Sequence, residues 1–236
     1  MDRLVPFPST RWSVVAGSID PAGEARRANL DSLFARYWPP VYSFLLRHGA
    51  RDPDEARDLA QEFFLTVLAG DFLDAFDPSR GRFRTWVCAA LQSFVKDRRR
   101  AEKAKKRRPD GGLVSLEVLR EADGRFDVED SRSASPDEVF RREWRRTIVE
   151  LALRRVREAG EKAVLAADLL TRRELVPGPT PSYEDLAREF GIDVPQVCNR
   201  LRWAKQKFLE AVRAEVLDQV SSAEDFEREM ADLFGG

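Results

Sequence analysis

Cysteine and histidine are scarce in this chain, and their scarcity argues against several kinds of site. The 236 residues contain two cysteines and one histidine. Cys88 and Cys198 lie far apart and outside any CxxC spacing, so neither a disulfide framework nor a cysteine zinc site is predicted. His48 lies in an Arg-His-Gly segment, which is more typical of a solvated surface residue than of a catalytic base. We expect no metal and no cofactor, and a reducing compartment such as the cytoplasm.

Long apolar runs are absent as well. No stretch approaches the roughly 18 apolar residues of a membrane-spanning helix, and the first residues lack the basic-then-apolar order of a signal peptide. With 43% hydrophobic and 10% aromatic residues, the composition is that of a globular, soluble protein. The net charge of −1 hides a segregation, because a basic centre is followed by an acidic stretch and an acidic tail. The distribution of charge is therefore more informative about nucleic-acid binding than its sum.

A helix with an aromatic face runs into a basic block near the middle of the chain. Apolar residues recur there three and four positions apart, which places them on one helix face. They are Phe83, Trp86, Val87, Ala90, Leu91, Phe94 and Val95. Residues 96–108 then hold nine Lys or Arg against Asp97 and Glu102. This combination predicts a nucleic-acid surface on a packed scaffold. The alternative is a core helix whose basic end is only solvated.

A second amphipathic helix is predicted to begin after Asp52. The segment Asp52-Pro-Asp-Glu55 has an acidic N-cap, a proline at the first helical position and a glutamate three residues after the cap. The following apolar stripe leaves Asp58, Gln61 and Glu62 on the exposed side. Asp54, Asp58 and Glu62 share one face, so a divalent-metal site for nucleic-acid cleavage is an alternative. No further acidic or histidine motif completes such a site, and we predict no catalytic residue and no enzyme.

The remaining segments complete an all-α prediction. Residues 1–24 are rich in Pro, Ser and Gly and predict an irregular arm, and Pro39-Pro40 predict an interrupted or kinked first helix. Residues 109–138 combine many acids with little apolar periodicity, which predicts a flexible linker. The tail from residue 214 has helical spacing of apolar residues among acids and predicts an amphipathic helix that folds back or offers a partner site. Neither strand alternation nor repeats appear in the sequence.

A helix, a tight turn and a second helix are predicted around Gly191. Ala187 is small enough to let the two helices approach, glycine takes the positive φ angle of the turn, and Val197 packs the second helix against the first. Ser182 and Asp193 occupy N-cap positions at the two helix starts. This spacing is typical of a helix-turn-helix. The alternative is a helical hairpin used for protein contact.

The second helix of this pair has a polar outward arc. Its buried side is predicted to hold Val194, Val197, Leu201, Ala204 and Phe208. Its outward arc holds Gln196, Asn199, Arg202, Trp203 and Gln206, with Arg200, Lys205 and Lys207 at the flanks. Amide and guanidinium groups are those that read base edges in the major groove. The arc therefore predicts a DNA-reading surface.

With these motifs together, the chain resembles a bacterial RNA polymerase sigma factor of the extracytoplasmic-function type, in the sigma-70 family. Over residues 33–100 the matching motifs are Leu33-Phe-Ala-Arg-Tyr37, Asp54-Glu-Ala-Arg-Asp-Leu-Ala-Gln-Glu-Phe-Phe64, Phe76-Asp-Pro-Ser-Arg-Gly-Arg-Phe-Arg-Thr-Trp86 and Asp97-Arg-Arg-Arg100. Over about residues 139–212 they are Ser182-Tyr-Glu-Asp-Leu-Ala187 and Gly191-Ile-Asp-Val-Pro-Gln-Val-Cys-Asn-Arg-Leu201.

The resemblance implies a fold of two small helical domains joined by a flexible linker. After an N-terminal arm of residues 1–24, residues 25–108 would form a region 2-like bundle that binds core polymerase and melts the −10 element. The acidic linker would span residues 109–138. Residues 139–213 would form a region 4-like helix-turn-helix that reads the −35 element, followed by the amphipathic tail of residues 214–236.

Site residues follow from the resemblance position by position. Core polymerase would be bound by Asp58, Gln61 and Glu62. The −10 DNA would be bound by Asp77, Ser79, Arg80, Arg82, Arg84, Gln92, Ser93, Lys96, Arg98, Arg99 and Arg100. The −35 DNA would be bound by Gln196, Asn199, Arg200, Arg202, Trp203, Lys205 and Lys207. Ser93 replaces the usual asparagine and the loop 171–181 is longer than the common pattern, so the promoter sequence does not follow by analogy.

Partners and rival functions complete the expectations. Core RNA polymerase and promoter DNA are the implied partners, and no membrane is involved. Phe63-Phe64 with nearby Thr66 resemble a subgroup paired with Ser/Thr kinases, so a kinase or an anti-sigma factor is a further partner to consider. The main rival function is a stand-alone helix-turn-helix regulator, which binds its operator without polymerase.

Overall fold

The computed structural model describes residues 24–69, 76, 82–107, 135–220 and 222–235. Eight α-helices lie within these ranges: α1 Glu24–His48, α2 Pro53–Ala69, α3 Phe83–Arg107, α4 Pro136–Glu158, α5 Glu161–Leu170, α6 Tyr183–Phe190, α7 Val194–Leu217 and α8 Ala223–Phe234. A π-helical turn, Thr171–Leu175, follows α5. The described residues contain no strand, and the all-α prediction is confirmed. Residues 1–23 of the predicted arm and 109–134 of the predicted linker lie outside these residues. Residues 136–138, which the sequence predicted as linker, are the first turn of α4.

The described residues divide into two compact units. We call residues 38–69, 76, 84–107 and 135–143 the central unit. Residues 24–37, 82–83, 144–220 and 222–235 form the terminal unit. The sequence-based domains 25–108 and 139–213 group the chain differently and stay a prediction.

The core of the central unit is formed by the stripes that the sequence predicted. From α2 it buries Ala56, Leu59, Ala60, Phe63, Phe64 and Val67, and from α3 Val87, Leu91 and Val95. The rings of Phe63 and Phe94 meet edge to face with centroids 5.6 Å apart. The predicted start of α2 is also present, because the Glu55 amide donates to Asp52 Oδ1 at 2.8 Å. Burial of this many apolar side chains is the main force that holds these helices together.

The α1 helix continues through Pro39 and Pro40, although the sequence predicted an interruption or kink there. A proline removes its own amide donor and crowds the preceding turn. Side chains on both sides of the pair are fully buried, with Tyr37 1% and Val41 0% exposed. Their burial offers a physical reason why the helix persists.

The single cysteine of α3 is buried and hydrogen bonded in the central unit. Cys88 Sγ donates to Asp137 Oδ1 at 3.1 Å, and the same oxygen accepts from Gln92 Nε2 at 3.0 Å. Burial, and then the carboxylate of Asp137, raise the pKa of Cys88 to about 12. The thiol is therefore protonated at neutral pH and connects α3 to the first turn of α4.

The terminal unit packs α4, α5 and α7 around fully buried aromatic and aliphatic side chains. Trp144, Ile148, Leu169, Val197, Leu201 and Val216 are among them. Two buried donors converge on one amide oxygen, because Tyr37 Oη and Trp144 Nε1 donate to Gln219 Oε1 at 2.8 and 3.1 Å. The amide of Gln219 in turn donates to the Glu215 carbonyl at 2.8 Å. Each buried polar group in this cluster therefore has a partner.

A charged network surrounds the same end of α7. Glu215 accepts from Arg36 at 2.7 Å and pairs with Arg155 at 2.6 Å. Arg36 also pairs with Asp218 at 2.7 Å. The side chains of Glu215 and Arg36 are only 3% and 5% exposed. Burial of two opposite charges is tolerated because both have charged and hydrogen-bonded partners.

The C-terminal tail folds back within the terminal unit. Its helix α8 begins at the Ser222 N-cap, whose hydroxyl accepts from the Asp225 amide at 3.1 Å. The helix packs against α7. The predicted amphipathic tail helix is confirmed, and so is its packing on the chain itself.

His48 gives the central unit a predicted sensitivity to acid. Burial lowers the pKa of His48, and the nearby cations of Arg47 and Arg99 lower it further. The unfolded chain then binds the proton more tightly, so the stabilisation is complete above about pH 6.5 and is lost as the pH falls through the folded-state pKa. Thermal melts should show a larger loss between neutral and mildly acidic pH for the wild type than for His48→Gln. Equal losses would contradict this prediction.

Candidate functional site

The exposed face of α2 carries the residues predicted to bind polymerase. Asp58, Gln61 and Glu62 are all exposed. Leu65 lies one turn further along the same face, four positions after Gln61 and three after Glu62, and is 64% exposed. Sequence reasoning omitted Leu65. Its position opposite the buried stripe was the available signal. The face therefore combines two carboxylates, an amide and an unshielded apolar side chain.

Two carboxylates of the rival metal site are paired with arginines. Asp54 accepts from Arg57 at 2.9 Å, and Glu62 accepts from Arg98 at 2.5 Å. Among the residues that the structure describes, no group of three or more His, Cys, Asp or Glu side chains is placed to hold a metal ion. The described geometry thus offers no support for metal-assisted cleavage.

The predicted −10 residues of α3 differ in exposure and in hydrogen-bond partners. Ser93 and Lys96 are exposed. Arg100 is also exposed and pairs with Asp97 at 3.3 Å. Gln92 is half-buried and bonded to Asp137. Arg98 pairs with Glu62, and Arg99 donates to the His48 carbonyl. Ser93, Lys96 and Arg100 are consequently the most accessible members of this set.

Arg84 is buried, unlike the accessible −10 residues of α3. The residue is only 6% exposed. At 3.6 residues per turn, Arg84 continues the buried arc of Val87, Cys88 and Leu91. The resemblance assigned Arg84 to the residues that face promoter DNA, whereas its helical position places it on the buried side of α3.

Of the predicted −10 residues in the loop 77–82, the structure describes Arg82. Asp77, Ser79 and Arg80 lie outside the described residues. Arg82 pairs with Asp232 of α8, Nη1 to Oδ2, at 2.6 Å. Its Nε lies 3.7 Å from Glu229 Oε1 of the same helix. This pairing joins residues 150 positions apart in the chain, and no sequence pattern indicated it.

The α6 and α7 helices have the predicted turn and caps. Gly191 ends α6 with φ 65° and ψ 35°, in the left-handed region that favours glycine. Capping boxes join Ser182 with Asp185 and Asp193 with Gln196. These local interactions confirm the predicted helices, the turn and the N-caps. They also fix the direction in which α7 begins.

The predicted −35 residues lie along the accessible side of α7. Gln196, Asn199, Arg202, Trp203 and Lys205 are exposed, whereas Arg200 and Lys207 are half-buried. Gln196 Oε1 accepts from the Asp193 amide at 3.4 Å, so this side chain also caps the helix. Asn199, Arg200 and Trp203 line a groove of about 320 Å³ beside the junction of α4 and α5. Asn199 is thus the least constrained amide of the set.

Two lysines of this set are paired with acids of the terminal unit. Lys205 Nζ lies 2.7 Å from Glu174 Oε1, and Lys207 Nζ lies 2.7 Å from Glu210 Oε2. Glu174 belongs to the π-helical turn Thr171–Leu175, in a segment that the sequence analysis interpreted as loop. Exposed pairs of this kind exchange readily with solvent and with phosphates, because each is worth only about 0–1 kcal/mol.

Comparison with known families identifies the segment that contains α2 and most of α1 and α3. Residues 33–105 match the family model for sigma-70 region 2. This segment is similar to sigma-70 region 2. The match supports a member of the sigma-70 family and a sigma factor role in transcription initiation, with core RNA polymerase and promoter DNA as the partners that the family implies. No curated protein matches the chain.

The matched residues include the exposed α2 face and the predicted −10 residues of α3. Residues 139–213 lie outside the match. None of the described helices combines the length and apolar character of a membrane-spanning segment. Sigma-70 proteins are transcription initiation factors.

Proposed function

We propose that this chain is an initiation factor of the extracytoplasmic-function type, which binds core polymerase, melts the −10 element and reads the −35 element. The observation that carries the proposal is the exposed face of α2 inside the matched region 2 segment. Asp58, Gln61 and Glu62 contribute little to the core, because their side chains project into solvent. Polar groups of this kind are suited to pairing with a basic partner surface.

The −10 function is assigned to the matched segment as well. Ser93, Lys96 and Arg100 offer one hydroxyl and two accessible cations on α3. Cations bind DNA by displacing condensed counterions from phosphates, whatever the sequence. Melting further requires the loop 77–82 to hold an unstacked base, a role proposed here from the family resemblance.

The −35 function is assigned to α6 and α7. Their turn at Gly191 and their two capping boxes support the interpretation as a helix-turn-helix. In such motifs the first turns of the second helix meet base edges and the later turns meet phosphates. Gln196 and Asn199 occupy the first turns of α7, and Lys205 and Lys207 the later ones.

The cellular setting is part of the proposal. A factor that binds polymerase and promoter acts in the cytoplasm. A kinase or an anti-sigma factor is proposed as a regulator, since Thr66 is exposed at the edge of the α2 face. The Thr66 hydroxyl donates to the Glu62 carbonyl at 2.9 Å, which leaves its oxygen on the surface.

A gel shift with and without cognate core polymerase tests the proposed function. We expect retardation of promoter fragments only when the protein and the core enzyme are both present. Binding by the protein alone, with no effect of core enzyme, would instead identify a stand-alone helix-turn-helix regulator. Cleavage of the DNA in the presence of Mg²⁺ would favour the nuclease alternative.

Leu65 is predicted to strengthen polymerase binding. Replacing Leu65 with alanine should leave the melting temperature nearly unchanged, because the side chain is already exposed. Truncating an apolar contact in an interface costs on the order of 1–2 kcal/mol, or roughly tenfold in affinity. Titration of labelled core polymerase measures this loss. Unchanged affinity would show that the apolar part of the α2 face is not in the interface.

Asn199 is predicted to read a base of the −35 element. Asn199→Ala should change the sequence selected from a randomised −35 element, at about 1–3 kcal/mol for a lost bidentate contact. Gln196→Ala is a less clean test, because Gln196 also caps α7. Lys205→Ala is the contrasting variant and should weaken all sequences alike while reducing the salt dependence. An unchanged consensus for Asn199→Ala would exclude direct readout by this residue.

A further inference from the structure

The C-terminal helix α8 carries an unusual concentration of negative charge. Its twelve residues include five acids and one arginine. Within α8, all of which the structure describes, the one buried residue is a carboxylate, Glu229. A helix held to its own chain mainly by apolar packing would bury its apolar side chains, but those of Phe226, Met230 and Leu233 are only half-buried. The buried position of Glu229 therefore points to an electrostatic reason for the docking of α8.

Arg82 provides that reason. Its guanidinium pairs with Asp232 at 2.6 Å and lies 3.7 Å from Glu229. The Glu229 side chain is 3% exposed and that of Arg82 is 26% exposed. Removing the Arg82 guanidinium would leave the buried Glu229 carboxylate without this compensating charge in a poorly solvated place. Glu229 and Asp232 lie three positions apart on one face of α8, so the helix presents both carboxylates to the same arginine.

Two carboxylate groups offer a guanidinium the same kind of partner that a phosphodiester offers. Arginine binds carboxylate and phosphate oxygens through the same fork of N–H donors. Arg82 is also the described residue of the segment proposed to hold single-stranded −10 DNA. While α8 is docked, Asp232 occupies part of the fork that a DNA phosphate requires.

We propose that α8 is an autoinhibitory helix, which covers Arg82 in the free protein and leaves it when single-stranded promoter DNA binds. This inference rests on the proposed function. A helix whose apolar side chains are only half-buried is released more easily than one docked through full apolar burial, because local stability follows buried apolar contact. The cover thus prevents the free factor from binding single-stranded nucleic acid at random.

The test uses the full chain and a fluorescein-labelled single-stranded DNA 20-mer of random sequence. The double variant Glu229→Gln/Asp232→Asn keeps the shape of α8 and removes the charges that hold Arg82. The matched control, Glu224→Gln/Glu227→Gln, removes two exposed charges from the same helix. If α8 covers Arg82 in about nine-tenths of the free molecules, the double variant should bind the DNA roughly tenfold more tightly. The reason is that the apparent dissociation constant of the wild type equals the intrinsic constant divided by the uncovered fraction.

Two further variants guard against misfolding and against an indirect effect. A chain that ends at Val220 lacks α8 and should show the same gain. Adding Arg82→Ala to the double variant should abolish it. An equal gain in the control variant would show that only the total charge matters, and would overturn the proposal. An unchanged affinity in both the double variant and the shortened chain would overturn it as well.

A measurement without DNA distinguishes a failure of this proposal from a failure of the proposed function. Phenylglyoxal modifies accessible arginines, and mass spectrometry of the Arg82 peptide should show faster modification in the double variant than in the control. If modification accelerates while DNA affinity does not change, α8 covers Arg82 but does not exclude DNA, and the proposal fails. If the holoenzyme binds promoter normally in that case, the proposed function stands. A holoenzyme that binds no promoter DNA removes both.

Discussion

Replacing Glu215 with alanine should lower the free energy of unfolding of the terminal unit by about 3 kcal/mol. Glu215 is buried between Arg36 and Arg155. Loss of its carboxylate leaves the buried Arg36 guanidinium with Asp218 as its remaining charged partner in this network. Removal of one member of a buried pair costs about 3–5 kcal/mol, and the pairing with Asp218 favours the lower end. Urea denaturation followed by tryptophan fluorescence measures the loss.

Glu210 provides the matched control for this prediction. It lies on the same helix, is exposed, and pairs with Lys207 at 2.7 Å. Glu210→Ala should change the free energy of unfolding by no more than about 1 kcal/mol, since exposed pairs contribute little. Equal effects of the two substitutions would mean that the buried network does not stabilise the terminal unit. Glu215→Gln should be intermediate, because it retains a hydrogen-bonding oxygen without the charge.

Local features of the fold were predictable because their causes lie within a few residues. Gly191 is needed for a turn with positive φ, and Asp52 and Asp193 accept from amides three positions further on. The buried stripes of α2 and α7 follow from 3.6-residue periodicity. The exposed face of α2 was predictable by the same argument, since a stripe that packs inward defines the face that projects outward.

Contacts between distant residues were not predictable in this way. Arg36 and Glu215 are 179 positions apart, and Arg82 and Asp232 are 150 apart. Nothing in the spacing of either segment indicates that these charges meet. Arg84 was expected to be accessible from the resemblance, but its helical position continues a buried arc of α3.

The exposed α2 face is the surface on which the proposed binding of core polymerase depends. A surface of two carboxylates and an amide has no folding role that the structure reveals, apart from the pairing of Glu62 with Arg98. That pair is partly exposed and contributes at most about 1 kcal/mol to folding. Substitutions on this face should therefore separate binding from stability, which substitutions in the core cannot do.

The triple variant Asp58→Ala/Gln61→Ala/Glu62→Ala should lose core polymerase association while retaining its helicity and melting temperature. If each contact contributes about 1–2 kcal/mol, the affinity falls by roughly a hundredfold or more, and a pull-down with core enzyme shows no retained protein. The control Asp97→Ala/Glu102→Ala removes the same number of exposed carboxylates from the central unit. It should be retained normally, because those carboxylates lie on α3. Retention of the triple variant at the wild-type level would reject α2 as the polymerase-binding face. Loss of retention in both variants would show that the net charge of the unit, rather than this face, determines the association.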